Sequence, residues 1–357
     1  MQPTTNSSCG ATGLLSEPPF SSRDDATLLR EMNDLSRWHL SGCDAYRAVW
    51  PAFTEAQSFA ELPFLHVGVF KHRIWRTSGE GIAHQRTLKS SSTSGTSSQI
   101  ALDGRSGALQ AQSSAAILKD LLGADQRPLL ILDDVKSLQQ RGEVSARVTA
   151  AMSLRPLSNE MHFLLSGSEN AQSLDWNKVG EMCAKSPRLL VYGFTWMLWM
   201  GWAQGAIPDD VSAALAKTQV SFVHSGGWKK LEAMKVSREQ FDGALCGLCA
   251  PGSGVLDFYG LVEQVGIIYP LCSAGFRHVP RWASVIVRDP WTMQPLINEP
   301  GMLQLMNPLA FGAPYHNVLT EDMGRMVEGD CECGRTGQRF ELLGRMPKAE
   351  VRGCANV

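Results

Sequence analysis

The sequence predicts an α/β fold in which helices cover the faces of a sheet and a smaller β-rich subdomain follows. Three observations carry this. Continuous apolar runs at Leu129-Leu-Ile-Leu-Asp-Asp134, Met161-His-Phe-Leu-Leu-Ser166 and Arg188-Leu-Leu-Val-Tyr-Gly-Phe194 read as strands buried on both faces, as in a parallel sheet. Helical stretches at Gly107 to Leu122, Ser145 to Met152 and Trp176 to Ala184 lie before and between them, and such alternation defines a helix-covered sheet. In the last third, Val285-Ile-Val287, Met302-Leu-Gln-Leu-Met306 and Phe340-Glu-Leu-Leu343 are short β-like pieces separated by Pro and Gly turns, the pattern of a small antiparallel or barrel-like subdomain.

The 357 residues, 44% of them hydrophobic, suffice for a large core. Basic and acidic residues number 33 and 35, a net of -2, so no basic field exists for nucleic acid or an anionic membrane. Small molecules or proteins are the expected partners. Nine Cys without a charged-then-apolar leader pattern point to a reducing cytoplasm, where Cys serves metals or thiol chemistry. The longest apolar run, Leu189 to Ala203, is too short to span a bilayer and is interrupted by Gly193 and Gly201. It reads as a buried strand running into a helix.

Residues 1–25, rich in Ser, Thr, Pro and Gly, are expected to be mobile or loosely draped. Leu28, Leu29, Met32, Leu35, Trp38 and Leu40 recur at helical spacing, and a second helical stretch runs through Tyr46 to Phe53. His39 and Cys43, four apart, have ligand spacing on a helix, yet no partner ligands lie near them in sequence. Pro63 to Lys71 reads as extended. Val220-Ser-Phe-Val-His-Ser-Gly-Gly-Trp-Lys-Lys-Leu231 is a strand ending in a Gly226-Gly227 turn, where backbone can approach a flat ligand closely.

Lys89-Ser-Ser-Ser-Thr-Ser-Gly-Thr-Ser-Ser-Gln-Ile100 packs eight hydroxyl residues around Gly95. Converging hydroxyls and backbone N–H groups suit phosphate oxygens, and Ile100-Ala-Leu-Asp103 then begins an ordered strand. A flexible Ser-rich linker is the plainer alternative. No Gly-Lys-Ser/Thr ending is present, so this is not a Walker loop.

Four stretches in order resemble the adenylate-forming superfamily of acyl-CoA synthetases, peptide-synthetase adenylation domains and firefly luciferase. Ser91 to Ser98 resembles its phosphate loop and Asp257-Phe-Tyr-Gly-Leu-Val-Glu-Gln264 its Tyr-Gly-x-Thr-Glu motif; Leu319-Thr-Glu-Asp-Met-Gly324 resembles Thr-Gly-Asp and Leu343-Gly-Arg345 the Gly-Arg hinge. Within it, Trp38-His39 through Tyr46, Val69-Phe-Lys71, His224 to Lys229 and Ala349-Glu-Val-Arg-Gly-Cys354 resemble the acyl-protein synthetases of bacterial bioluminescence. The resemblance implies the N-terminal domain of an adenylate-forming enzyme over 26–343, with 344–357 as hinge and short tail.

It further implies ATP-dependent conversion of a carboxylic acid, with a fatty acid among the candidates, to an acyl-adenylate and transfer to a thiol, Cys354. Ser92, Thr93, Ser94, Gly95 and Thr96 would hold phosphates, Glu263 would hold Mg²⁺, and Tyr259, Gly260 and the Gly226-Gly227 turn would flank adenine. Asp322 would take the ribose hydroxyls, with Arg345 beside the nucleotide at the hinge. Without the resemblance, Glu263 reads as a solvated helix start and Asp322 as a turn residue. An acyl-accepting reductase or carrier protein is the implied partner; coenzyme A as acceptor, or a degenerate nucleotide-binding scaffold, are the alternatives.

The sequence departs from the pattern at Ser98, where Gly is usual, at Val262, where Thr is usual, and in lacking the loop's closing Lys. A dozen residues follow Arg345 where most relatives carry a lid with a catalytic Lys, so the lid is expected to be largely absent; Lys229, Lys230 and Lys348 are the local candidates for its cation. Cys272, His278, Cys331 and Cys333 form a candidate structural zinc set, with Cys246 and Cys249 as a rival pair. Trp196, Met197, Trp199 and Met200 suggest either an apolar pocket or plain core.

Overall fold

A computed structural model of the chain describes residues 13–90, 97–138, 143–167 and 170–346. Three sheets organise it. The six-stranded sheet runs in the order Tyr269–Pro270, Gly254–Tyr259, Gln219–Ser225, Arg188–Phe194, Arg127–Ile131 and Ser158–Phe163, parallel except for the short Tyr269–Pro270 edge. Its inner strands explain their unbroken apolar runs. Leu129, Ile131, Leu190, Tyr192 and Val223 enter one core, while Leu130, Leu132, Leu189, Val191 and Phe222 alternate into a second on the other face.

Met197 and Leu198 belong to that second core, and Trp196 and Trp199 pack against it. Met197 is fully buried, and Trp199 stacks on Phe241 at 6.0 Å between ring centroids and meets Trp228 edge-on. The apolar-pocket reading of this stripe is thereby corrected, because its rings are spent on the sheet's outer face.

The seven-stranded sheet is built around Asn317–Val327, which pairs with Gly301–Met306, with Arg339–Arg345 and, in parallel, with Leu65–His66. Between Pro63 and Lys71 only Leu65–His66 is extended; Val69–His72 is a helical turn, started by the right-handed helical backbone of Gly68 and anchored by buried Phe70. A three-stranded sheet of Gln99–Asp103, His84–Lys89 and Glu143–Ser145 completes the set.

Two helices fix these sheets together. Asp25–Gly42 is capped by the Asp24 carboxylate accepting from the Thr27 N–H at 3.0 Å and buries Leu28, Met32, Leu35 and His39 along one stripe. Gly104–Leu122 starts at Asp103, whose carboxylate accepts from the Ser106 N–H, and stops at Gly123 with φ +81°. Its buried face is mostly polar and fully occupied: Ser106 accepts from the Phe311 N–H, Gln110 donates to Tyr315, and Ser113 donates to Gly266 while accepting from Trp282.

The expected mobility of residues 1–25 does not hold for their described part. Leu14, Leu15 and Phe20 are buried, and Arg23 donates to the Ala283 carbonyl and to Gln338. The expected boundary at 344 also falls inside a strand, since Gly344 and Arg345 pair with Met323 and Asp322. His39 is a structural residue, accepting from Thr77 and donating to the Ala310 carbonyl. No helix among the described residues is long and apolar enough to cross a membrane.

Candidate active site

The carboxyl ends of the parallel strands, where α/β sheets open onto ligands, border a cavity of about 1570 Å³ that extends to the Asn317–Val327 and Arg339–Arg345 strands. Gly226, Gly227, Gly260, Glu263, Asp322 and Arg345 all line it. Residues predicted from four separate motifs are thus brought to one wall system. Ser92, Thr93, Ser94, Gly95, Thr96, Lys348 and Cys354 lie outside the described residues, as do the side chains of Lys229 and Lys230.

Asp322 sits in a strand and is 9% exposed, which replaces the turn reading. The Tyr259 hydroxyl donates to its Oδ2 at 2.7 Å, and Arg345 Nε lies 3.5 Å from Oδ1. Burial pushes the Asp322 carboxyl above the usual carboxylate range, opposed by the Tyr259 bond and the Arg345 charge. Tyr259 is held behind the wall by Tyr269 and Phe340, with centroids at 5.9 and 6.2 Å.

Glu263 lies in the short helical turn Val262–Gln264 and is 5% exposed, not a solvated helix start. Gln264 pins that turn by donating to the Leu305 and Tyr315 carbonyls while accepting from Asn307. Burial raises the Glu263 carboxyl; the Ser98 hydroxyl and the Lys71 charge pull it back. Ser98 also closes the base of the Ser-rich loop: its N–H donates to Ser90 Oγ at 2.9 Å and its carbonyl accepts from the Ser90 N–H at 3.1 Å. Both of those bonds use Ser98 backbone atoms that Gly would also supply; what the departure from Gly adds is the hydroxyl acting on Glu263.

The Gly226 turn has φ +79°, a conformation Gly adopts without strain. Thr195 fixes it, donating to the Gly226 carbonyl at 2.9 Å while accepting from His224 Nδ1 at 3.0 Å. Burial holds His224 below its ordinary value, hence neutral near pH 7.

Lys71 stands in the Val69-Phe-Lys71 stretch of the resemblance but is given no role by it. It lines the cavity and pairs with Glu321 at 2.9 Å, and the Leu65–His66 strand just before it pairs with Val318 and Leu319.

Away from the cavity, Cys272, His278, Cys331 and Cys333 place one ligand atom each within 4.8 Å of one another. Cys272 and Cys331 Sγ are 3.8 Å apart, and Cys333 Sγ is 3.2 Å from His278 Nε2. Cys246 and Cys249 stay outside this set, Cys249 donating to the Leu245 carbonyl.

A parallel sheet opening at its carboxyl ends onto a β-rich unit is the fold of adenylate-forming ligases. Solved structures with this fold include an open conformation of 2-hydroxyisobutyryl-CoA ligase in complex with 2-HIB-AMP and CoA, 16% identical, with a TM-score of 0.61 over 90% of this chain and 74% of that one. The same ligase in its postadenylation state matches at 15% identity, a TM-score of 0.62, and 90% and 68% of the two chains.

The acyl-protein synthetase, LuxE, family matches residues 6–357, and the chain belongs to it. The long-chain-fatty-acid–luciferin-component ligase of Vibrio harveyi is 28% identical over 138 residues, which span 37% of this chain and 35% of that protein's own length.

Proposed function

We propose that the chain activates a carboxylic acid, a fatty acid in the first instance, with ATP and passes the acyl group to the thiol of Cys354. The observation that supports this most is the joining of two buried carboxylates, Glu263 and Asp322, to Gly-lined backbone in one cavity. A carboxylate has no good leaving group. In the first step its oxygen attacks the α-phosphorus of ATP, the bond to the β-phosphate oxygen breaks, and pyrophosphate leaves. In the second, the thiolate attacks the carbonyl carbon, the C–S bond forms, and AMP leaves with the electron pair of the anhydride bond.

Asp322 receives the ribose hydroxyls. Tyr259 occupies Oδ2 and so turns Oδ1 to the ligand. Gly226, Gly227 and Gly260 present backbone to adenine, while Ser92, Thr93, Ser94, Gly95 and Thr96 bond the β- and γ-phosphates, with Ser98 and Ser90 holding the loop's base. Arg345 closes the rim. Glu263 suits Mg²⁺, because an anionic oxygen set back in a buried wall fits a hard cation; the ion, when bound, neutralises phosphate charge. Leu102, Val148, Met152 and Ile268 give the same cavity an apolar side suited to an acyl chain. An acyl-accepting reductase or carrier protein then takes the acyl group, and the free thiol this requires suits the cytoplasm.

The Cys272, His278, Cys331 and Cys333 set is proposed to bind structural zinc. Tetrahedral zinc with Zn–S of about 2.3 Å has an S···S edge of about 3.8 Å, the separation of Cys272 and Cys331 Sγ. Four protein ligands leave no open position, so the ion would tie the Cys331-Glu-Cys333 turn to the Arg277–His278 strand.

The test is intact mass and radiolabel after incubation with acid and ATP. Wild type gains one acyl mass, sensitive to hydroxylamine, and Cys354→Ser does not, while still releasing pyrophosphate. A thioester on the Ser variant places the acceptor elsewhere; pyrophosphate release with loading only of added coenzyme A or carrier protein selects an external acceptor.

A further inference from the structure

We infer that Lys71 is a substrate-contacting residue of this site, its ammonium bonding the phosphate oxygens of ATP. The inference rests on the nucleotide reading above and gives a role to a residue to which that reading assigned none.

Four cations with described side chains line the cavity: Lys71, Arg86, Lys235 and Arg345. Arg345 is 77% exposed at the rim, the Lys235 side chain is 60% exposed and paired with Glu232, and Arg86 is exposed. Lys71, at 32%, is the most sheltered. Its backbone is fixed, since the Lys71 N–H donates to the Gly68 carbonyl and the neighbouring Phe70 is buried against Trp75. A cation on a held backbone costs little ordering when a ligand arrives.

Its electrostatic surroundings tie it to one of the carboxylates assigned to the nucleotide and to the chain neighbour of the other. Its partner Glu321 precedes Asp322 in the chain, and its charge acts on Glu263. His66, beside the pair, accepts the Gly68 N–H on Nδ1 and is held below its ordinary value by burial. Neutral near pH 7, it brings no second cation. A polyphosphate entering a cavity lined by Glu263, Glu321 and Asp322 meets repulsion on several sides, and a lysine is a compact three-donor cation suited to its oxygens. Glu321 then serves as the resting counter-ion, exchanged for phosphate when ATP binds.

Calorimetric binding of Mg²⁺-ATP and of adenosine to the full chain tests this on wild type, Lys71→Met, Lys71→Arg and Glu321→Gln. Titrations are run at moderate salt and near 1 M salt, where screening shortens to about 3 Å and only a contact survives. Lys71→Met should weaken ATP about 10- to 100-fold at both salts and leave adenosine unchanged, which also certifies its fold. Lys71→Arg should recover part of the loss, and Glu321→Gln should bind ATP as tightly as wild type or tighter.

If Lys71→Met and wild type bind ATP equally, or their difference vanishes at high salt, Lys71 makes no phosphate contact. If Glu321→Gln weakens ATP as Lys71→Met does, the pair is structural and the inference falls. Wild type binding neither ATP nor adenosine removes the nucleotide reading itself.

Discussion

The Tyr259 hydroxyl donates to Asp322 Oδ2 over 2.7 Å, joining residues 63 apart in the chain. One belongs to the last long strand of the parallel sheet and the other to the hub of the β-rich sheet. The bond therefore couples the two units at the point where the cavity opens between them.

Removing Asp322 should raise the ATP requirement. A charge-assisted bond to ribose is worth about 1.5–3 kcal/mol, so Asp322→Ala should raise the apparent ATP KM about 10- to 150-fold, beside the fall in Tm expected when the Tyr259 hydroxyl loses its acceptor. Tyr259→Phe should give a smaller rise, because it frees Oδ2 without removing the acceptor. An unchanged KM in Asp322→Ala refutes the ribose role.

Zinc should be present at one ion per chain and be lost in Cys331→Ser. A chelator should lower the Tm of wild type and leave Cys331→Ser unaffected, since only a bound ion adds folding free energy. Metal analysis showing no zinc, with a Tm indifferent to chelator, contradicts the site.

Acid should destabilise the chain through two buried histidines. His39 and His316 stack at 4.7 Å between centroids, both fully buried. His316 donates to Ser36, and its Nδ1 has no partner. Burial lowers both, His316 to about 3, and His39 is lowered further by His316. Above an ordinary His pKa of about 6.5 the folded and unfolded chains both hold them neutral, so stability is independent of them there. Below it the unfolded chain takes up protons that the folded chain refuses, and stability falls until the folded values are reached. The slope approaches about 1.4 kcal/mol per pH unit for each histidine. Denaturant midpoints between pH 7 and 5 should show this fall, and His316→Gln should reduce it; equal slopes in the two proteins contradict it.

Much of the architecture was legible because a parallel strand must be apolar on both faces: Leu129 to Leu132 and Leu189 to Tyr192 carry that requirement in their own sequence. The zinc candidate set was legible for a similar reason, its ligand types being few. The buried Ser106, Ser113 and Gln110 were not legible, because their partners at Phe311, Gly266, Trp282 and Tyr315 are supplied by remote segments. Lys71 was hidden likewise. Its partner Glu321 lies 250 residues away, and nothing in Val69-Phe-Lys71 marks a cavity-facing cation. Residues 13–25 read as mobile from composition, since Leu14, Leu15 and Phe20 find their pocket only in the assembled core.

The most direct measurement of the central claim is acid-dependent release of pyrophosphate from ATP by the purified full chain, across a panel of carboxylic acids of increasing chain length. Release should require an acid and Mg²⁺, yield AMP in equal amount, and be lost in Glu263→Gln. A chain that binds ATP but releases no pyrophosphate with any acid, or releases it equally without acid, does not activate carboxylic acids.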